Sequence, residues 1–279
     1  MKRWLIGFSC LWLSGVALAA AADDAHKFTQ ASMLVSGSIE VAPDGSVMQY
    51  ALDHPDELPA QVKDLLAKAI PTWKFKPVAV DGKPAIAKAS MSVRVLAMPM
   101  ANDMFRLDVA AAHFFERNGK PAIKAVQERN PVYPSEALRE RVTGTVYLVA
   151  RLDAAGKVVD AAAQQVDLGK FGSAVEMERW RDQLARVSVR AAQSWLFSPA
   201  TDGATAYRVI RLPVTFAMRI NGYSTRAHYG QWDVYIPGPM QWIPWLDKRQ
   251  ITGGVDAVPD GAIDQVGRGL RLLTPLKGA

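Results

Sequence analysis

The residue types that carry most protein chemistry are sparse and scattered in this 279-residue chain. Its four histidines, His26, His54, His113 and His228, lie far apart. None has a second histidine one helical turn away or a cysteine nearby, so the spacing of a zinc site is missing. No Gly-x-Ser-x-Gly elbow, phosphate loop or dinucleotide fingerprint occurs. Asp256, Asp260 and Asp264 recur at four-residue steps, but their segment lacks the calcium-loop pattern and reads as a solvated loop. The sole cysteine, Cys10, lies in an apolar leader. The expectation is a protein that is not an enzyme and needs no metal or cofactor.

The elements that position these residues start with that leader. Lys2 and Arg3 precede an apolar run from Leu5 to Leu18, and Ala17-Leu18-Ala19 is a small-x-small cleavage signal. Residues 1–22 read as a secretory signal peptide, cleaved near Ala19, and the destination is periplasmic. The rival is a retained inner-membrane anchor, since the run approaches the roughly 20 residues that span a bilayer. Cleavage removes the only thiol, so the exported chain relies on its packed core rather than on disulfides. The formal charge of +6 falls to +4 without Lys2 and Arg3. No dense Lys/Arg block is present, which argues against nucleic acid as a partner.

One segment occurs twice. Trp73-Lys-Phe-Lys-Pro77, followed by Asp81-Gly82, returns as Trp195-Leu-Phe-Ser-Pro199, followed by Asp202-Gly203. Upstream of each lies a Gly-started apolar stretch (from Gly37 and from Gly144), then a turn (Pro43-Asp-Gly45 and Ala154-Ala-Gly156) and a helical segment. In the first copy, Leu58, Val62, Leu65, Leu66 and Ile70 form a helical stripe within 56–70. In the second, a helix spans Trp180–Trp195, with Leu184, Val187, Ala191 and Trp195 on one side. A closing strand follows each, over 87–96 and 208–220; Pro213 places the latter at a sheet edge or turns outward. A repeat of this length points to one β-α-β unit used twice. The aromatic anchors Trp73, Phe75, Trp195 and Phe197 read as core. Residues 99–125 form a connector with a short helix over 108–117. Ser135 N-caps another short helix. Residues 169–179 are an insertion that the first copy lacks.

The second copy resembles the C-terminal domain of TonB, the periplasmic energy transducer. The likeness rests on Pro131-Val-Tyr133-Pro134, on Gly144-Thr-Val-Tyr-Leu-Val-Ala-Arg-Leu-Asp-Ala-Ala-Gly156, on Ala191-Ala-Gln-Ser-Trp-Leu-Phe-Ser-Pro199 and on Ile210-Arg-Leu-Pro-Val-Thr-Phe216. Residues 34–98 resemble a shorter, diverged copy without the Tyr-Pro opening. The resemblance implies an α+β fold of two tandem small units, each a short antiparallel sheet with helices packed on one face. The organisation expected is residues 1–22 signal peptide, 30–98 diverged unit, 99–125 connector, 126–220 second unit and 221–279 a Trp/Pro-rich extension folded over it.

The resemblance also implies a function: binding of protein partners in the cell envelope, such as outer-membrane receptors, by addition of a peptide to a sheet edge. The carried-over positions are Pro131, Tyr133 and Pro134, with Arg208, Ile210, Leu212, Val214 and Phe216 of the last strand. The alternative is a membrane-anchored TonB-type transducer for receptor-driven transport. Residues 4–22 hold no histidine to contact motor proteins, and no long Pro-rich spacer follows, so a soluble periplasmic relative is the adopted reading. A small-ligand binder would use the irregular region 221–279. Oligomeric state is not fixed by the sequence.

Overall fold

The structure, a computed structural model, describes residues 29–100, 104–116, 123–200, 207–220, 223–225, 228–246 and 257–276. The leader, with its cleavage site, lies outside the described residues, as do Asp202, Gly203 and Asp256. The fold is mixed α/β, dominated by antiparallel sheets. No helix among the described residues is long and apolar enough to cross a membrane.

The first sheet begins with a hairpin, β1 (Gln30–Val41) and β2 (Val47–Leu52). The chain then enters α1 (Ala60–Ala69) and returns as β3 (Ala87–Pro99), which pairs with β1 over 11 residue pairs. A further strand, β4 (Phe105–Glu116), adds outside β3. Met33, Val35, Ile39, Met91, Val93 and Val95 alternate onto one face and bury Val62, Leu66 and Ile70 of the helical segment. Trp73 and Phe75 close this core against Phe114 of β4, with ring centroids 5.9 and 4.9 Å away.

The second sheet is built from β5 (Gly144–Leu152), β6 (Val158–Leu168) and β7 (Arg208–Phe216), in the order β6-β5-β7. Ahead of it stands α2 (Ser135–Arg139), and between β6 and β7 runs α3 (Ala174–Ala192). Met177, Trp180, Leu184, Ser188 and Ala192 are the buried stripe of α3. They face Val146, Leu148, Ala150 and Leu152 of β5 within one core, together with Trp195 and Phe197. Glu140 ties α2 to α3 by accepting a 2.6 Å hydrogen bond from the Trp180 indole.

Two glycines show how the aromatic anchors are pinned. Phe75 donates its N–H to Gly45 O at 2.8 Å, and Phe197 does the same to Gly156 O at 2.9 Å. Both glycines have positive φ, +83° and +86°, and a Cβ on either would lie about 2 Å from the phenylalanine carbonyl oxygen. Only glycine serves both demands.

Several expectations are corrected. The short helix expected over 108–117 is not formed: residues 108–116 belong to β4, with Arg117 outside the described residues, and the alanine run 110–112 is buried in the sheet. Pairing with β3 outweighs the helix preference of alanine, because propensity is a weak prior against a full ladder. Helix α3 starts at Ala174, six residues before Trp180, through a Ser173–Glu176 capping box. It ends at Ala192, so Trp195 follows it, and Val187 and Ala191 are only half-buried. Pro134 rather than Ser135 takes the cap position of α2.

The extension does not rest on the second sheet alone. Its strand β8 (Asp233–Tyr235) pairs with the start of β1. Ile236 then bridges Leu168 of β6, and Gln241 N–H donates to Gln164 O at 2.7 Å. Ile243 and Leu246 pack on Val149. Strand β9 (Asp264–Gln265) pairs with Ile210 and Arg211 of β7. Finally Leu272 bridges Phe75 of the first sheet. The tail thus visits the first sheet, the second, and the first again.

Trp195 is 2% exposed and its indole N–H donates to Arg129 O at 2.9 Å. Trp195→Ala is expected to lower the unfolding free energy by about 3–5 kcal/mol. Denaturant titration measures this, and a change near zero would contradict the core role.

Candidate functional site: sheet edges and the seam between sheets

The strand that sequence reasoning offers to a partner is flanked on both sides. Backbone pairing joins β7 to β5 along its length and to β9 at Ile210 and Arg211, and Val266 N–H donates to Val209 O at 2.9 Å. The side chains of Ile210, Leu212, Val214 and Phe216 are buried in the α3-backed core. Arg208 is also buried, with one guanidinium nitrogen donating to Ser198 O at 2.7 Å. Pro131, Tyr133 and Pro134 are half-buried beside α2. Tyr133 stands edge-on to Phe216, centroids 5.3 Å apart, and its hydroxyl donates to Val142 O. Burial pushes the Tyr133 phenol up to about 12. The structure therefore brings Tyr133 and Phe216 together, but as packing.

Open edges lie elsewhere. Val47–Leu52 of β2 pairs only with β1, and no described residue pairs with its other side. The strand carries no charged residue, and Met48 is 54% exposed. Val47, Tyr50 and Leu52 lean half-buried onto the first core, as do Leu65 and Ala69 of α1. In the second sheet, tail residues 236–241 cover the end of β6, while no described residue pairs with the outer side of Val158–Ala163.

The faces of the two sheets away from their helices meet in a polar seam. Ser32, Ser92, Arg94 and His113 come from the first sheet; Tyr147, Gln165, Asp167 and Arg211 come from the second, and all are buried. Arg94 donates to Ser32 Oγ at 2.6 Å and to Tyr147 Oη at 3.4 Å, so one guanidinium spans both sheets. It also stands 5.5 Å from the Tyr235 ring centroid. The second link is Asp264 of β9. Its carboxylate lies 3.0 Å from His113 Nε2 on one side and 3.6 Å from Arg211 Nη1 on the other. Arg211 is 1% exposed and also donates to Gln164 Oε1 at 3.2 Å. Burial pulls its guanidinium below the usual value, and Asp264 opposes that pull. The reading of 256–264 as a solvated loop is overturned at Asp264, whose partners sit in both sheets.

Ser92, directly across the ladder from His113, completes a set of Ser, His and Asp types. Its buried hydroxyl has no hydrogen-bond partner. The nucleophile–base contact that acyl transfer requires is therefore missing from the set. No group of three or more His, Cys, Asp or Glu able to hold a metal occurs among the described residues.

At one end of the seam the sheets part around a cavity of about 290 Å³. Its walls include Arg94, Tyr147 and Asp167 from the strands, and Tyr229, Gln231 and Asp233 from the tail. Asp167 Oδ1 accepts from Gln165 Nε2 at 2.8 Å and from Gly238 N–H at 2.9 Å. Surrounding protein raises the Asp233 carboxyl above its ordinary value, and Arg94 pulls it back. Sequence reasoning offered only region 221–279 for a small ligand and missed the strand residues, because the lining is drawn from positions as far apart as Ser32 and Asp260. The only signal was the unusual density of aromatic residues in the tail.

Compared with models of protein families, with curated proteins and with solved structures, the chain matches none.

Removing one member of a buried ion cluster leaves the others unpaired, which costs about 3–5 kcal/mol. Asp264→Ala is expected to destabilise by that amount in denaturant unfolding. Adding Arg211→Met should recover part of the loss, because the orphaned guanidinium is then gone. Strict additivity of the two changes would contradict the coupling.

Proposed function

We propose that this chain is an exported, envelope-resident protein-interaction module of the TonB C-terminal type, non-enzymatic, that takes up an extended segment of a partner protein at a sheet edge. The observation that carries the proposal is the uncharged outer edge of β2, unpaired among the described residues and bordered by half-buried apolar side chains. An edge of this kind is a template for another strand. Backbone hydrogen bonds supply affinity, and alternate side chains of the visitor enter the groove between β2 and α1. The partner is a polypeptide with alternating apolar residues.

The tandem-unit reading draws support from matched geometry. Each half runs hairpin, helix, returning strand, with the returning strand paired to the first of the hairpin. Each half pins a Trp-x-Phe segment on the glycine of its hairpin turn. In each, the glycine on the first strand, Gly37 or Gly144, faces a carbonyl of the second strand so closely that a Cβ would lie 2.3 Å from it. These are packing relations that two unrelated halves have no reason to share. The docking edge of this proposal differs from the sequence expectation: the tail covers β7 at Val209–Arg211, whereas β2 is unpaired on its outer side among the described residues, with Val158–Ala163 of β6 as its counterpart.

A photo-reactive amino acid at Gln49 should crosslink an envelope protein in intact cells, whereas the same group at the exposed Val175 of α3 should not. Met48→Lys places a charge on the edge without disturbing the core and should reduce the Gln49 crosslink several-fold. No crosslink at Gln49, or one indifferent to Met48→Lys, would sink the proposal.

A further inference from the structure

Independently of strand addition, we infer that the cavity at the end of the seam is a binding site for a small neutral polyhydroxylated ligand, of the size of a single sugar ring. The space, about 290 Å³, lies at the small end of the ~300–1,000 Å³ found for ligand sites. Its lining selects by exclusion. Hydroxyl, carboxylate, amide and guanidinium groups share the lining with apolar ones such as Leu34, Leu168 and Phe216, so a wholly apolar ligand would strand the polar groups without partners. Asp167, Asp233 and Asp260 line the walls, which repels phosphates and carboxylates. Among the described residues that line the cavity, the one guanidinium, Arg94, is already held by Ser32 and Tyr147.

An organic cation is the remaining charged class, and the carboxylates do not call for one. Asp167 has two donors on a single oxygen, and Asp260 accepts from Thr215 Oγ1 at 3.1 Å. Asp233 stands exposed at the rim, within the field of the Arg94 guanidinium. The walls set these carboxylates beside the hydroxyls of Ser32, Thr143 and Thr145 and the rings of Tyr147, Tyr229 and Tyr235. Vicinal hydroxyls on a ring with apolar C–H faces complement that pattern: each O–H donates to one wall group and accepts from another, while a ring face lies on an aromatic. Entry is open on the tail side, where His228, Gln231 and Asp233 are exposed. The strands supply a rigid back wall and the tail supplies the front, which explains why a tail of two- and three-residue strands is held at so many points.

The test uses the full chain, with glucose and N-acetylglucosamine as neutral probes and putrescine as the cationic one. Thermal unfolding and saturation-transfer NMR read binding. At least one sugar should raise the melting temperature saturably, as a ligand of the native state must. Gln231→Ala at the rim and Tyr147→Phe in the back wall should each weaken that sugar about tenfold, the value of one hydrogen bond. Val175→Ala, remote on α3, should not. Circular dichroism of each variant checks folding, and Gln231→Ala alone suffices if Tyr147→Phe unfolds. Three results would overturn the inference: no response to either sugar, a response to putrescine only, or sugar binding untouched by Gln231→Ala in a folded protein.

Discussion

Two sheets that turn polar faces towards each other must pair what they bury, because an ion taken from water and left alone costs several kcal/mol. Here the strands alone do not complete the pairing. Arg94 reaches across from the first sheet to Tyr147. His113 and Arg211, one from each sheet, instead converge on Asp264, a carboxylate that comes from the tail strand at the edge of the second sheet. It arrives on a two-residue strand of the C-terminal tail. That constraint organises the rest of the molecule. The tail must cross the seam, so it pairs with both sheets, and in doing so it covers β7 at Val209–Arg211 and walls a cavity.

The helix-backed halves obey a different logic, that of packing. In each, a tryptophan and a phenylalanine after the helix fill the space between helix and sheet, held by a turn glycine that admits no side chain. Burying such rings is worth a few kcal/mol apiece. The same arrangement puts the 3-10 turn Ile70–Thr72, just after α1, beside β2 and leaves half-buried apolar groups along a strand with no described partner on its outer side. The edge proposed to bind a partner thus borders the core that the aromatic anchor closes.

Legibility in the sequence followed the range of the interactions. The aromatic anchors, the turn at Pro43-Asp-Gly45 and strand β5 were readable, because alternation and turn chemistry act over a few residues. The Ser173–Glu176 capping box is equally local and was within reach, but the 169–179 segment has no counterpart in the first copy. Residues 108–117 misled because Ala110–Ala112 favours a helix in isolation, and only the ladder to β3 overrules it. Asp264 was illegible. Its partners are 53 and 151 positions away, and a short polar segment ending in Asp-Gly-Ala-Ile-Asp looks like any solvated loop. The site residues of β7 were placed on a strand correctly, yet whether a strand lies at an edge depends on which distant segment joins it.

Amide hydrogen exchange under native conditions tests the central claim most directly. With the two halves coupled through the seam and β2 open on its outer side, amides of β1, β3, β5 and β7 should all exchange through one shared opening of the whole molecule, while the outward-facing amides of β2 exchange orders of magnitude faster. Separate opening free energies for the two sheets, or β2 amides as slow as those of β1 throughout, would contradict it.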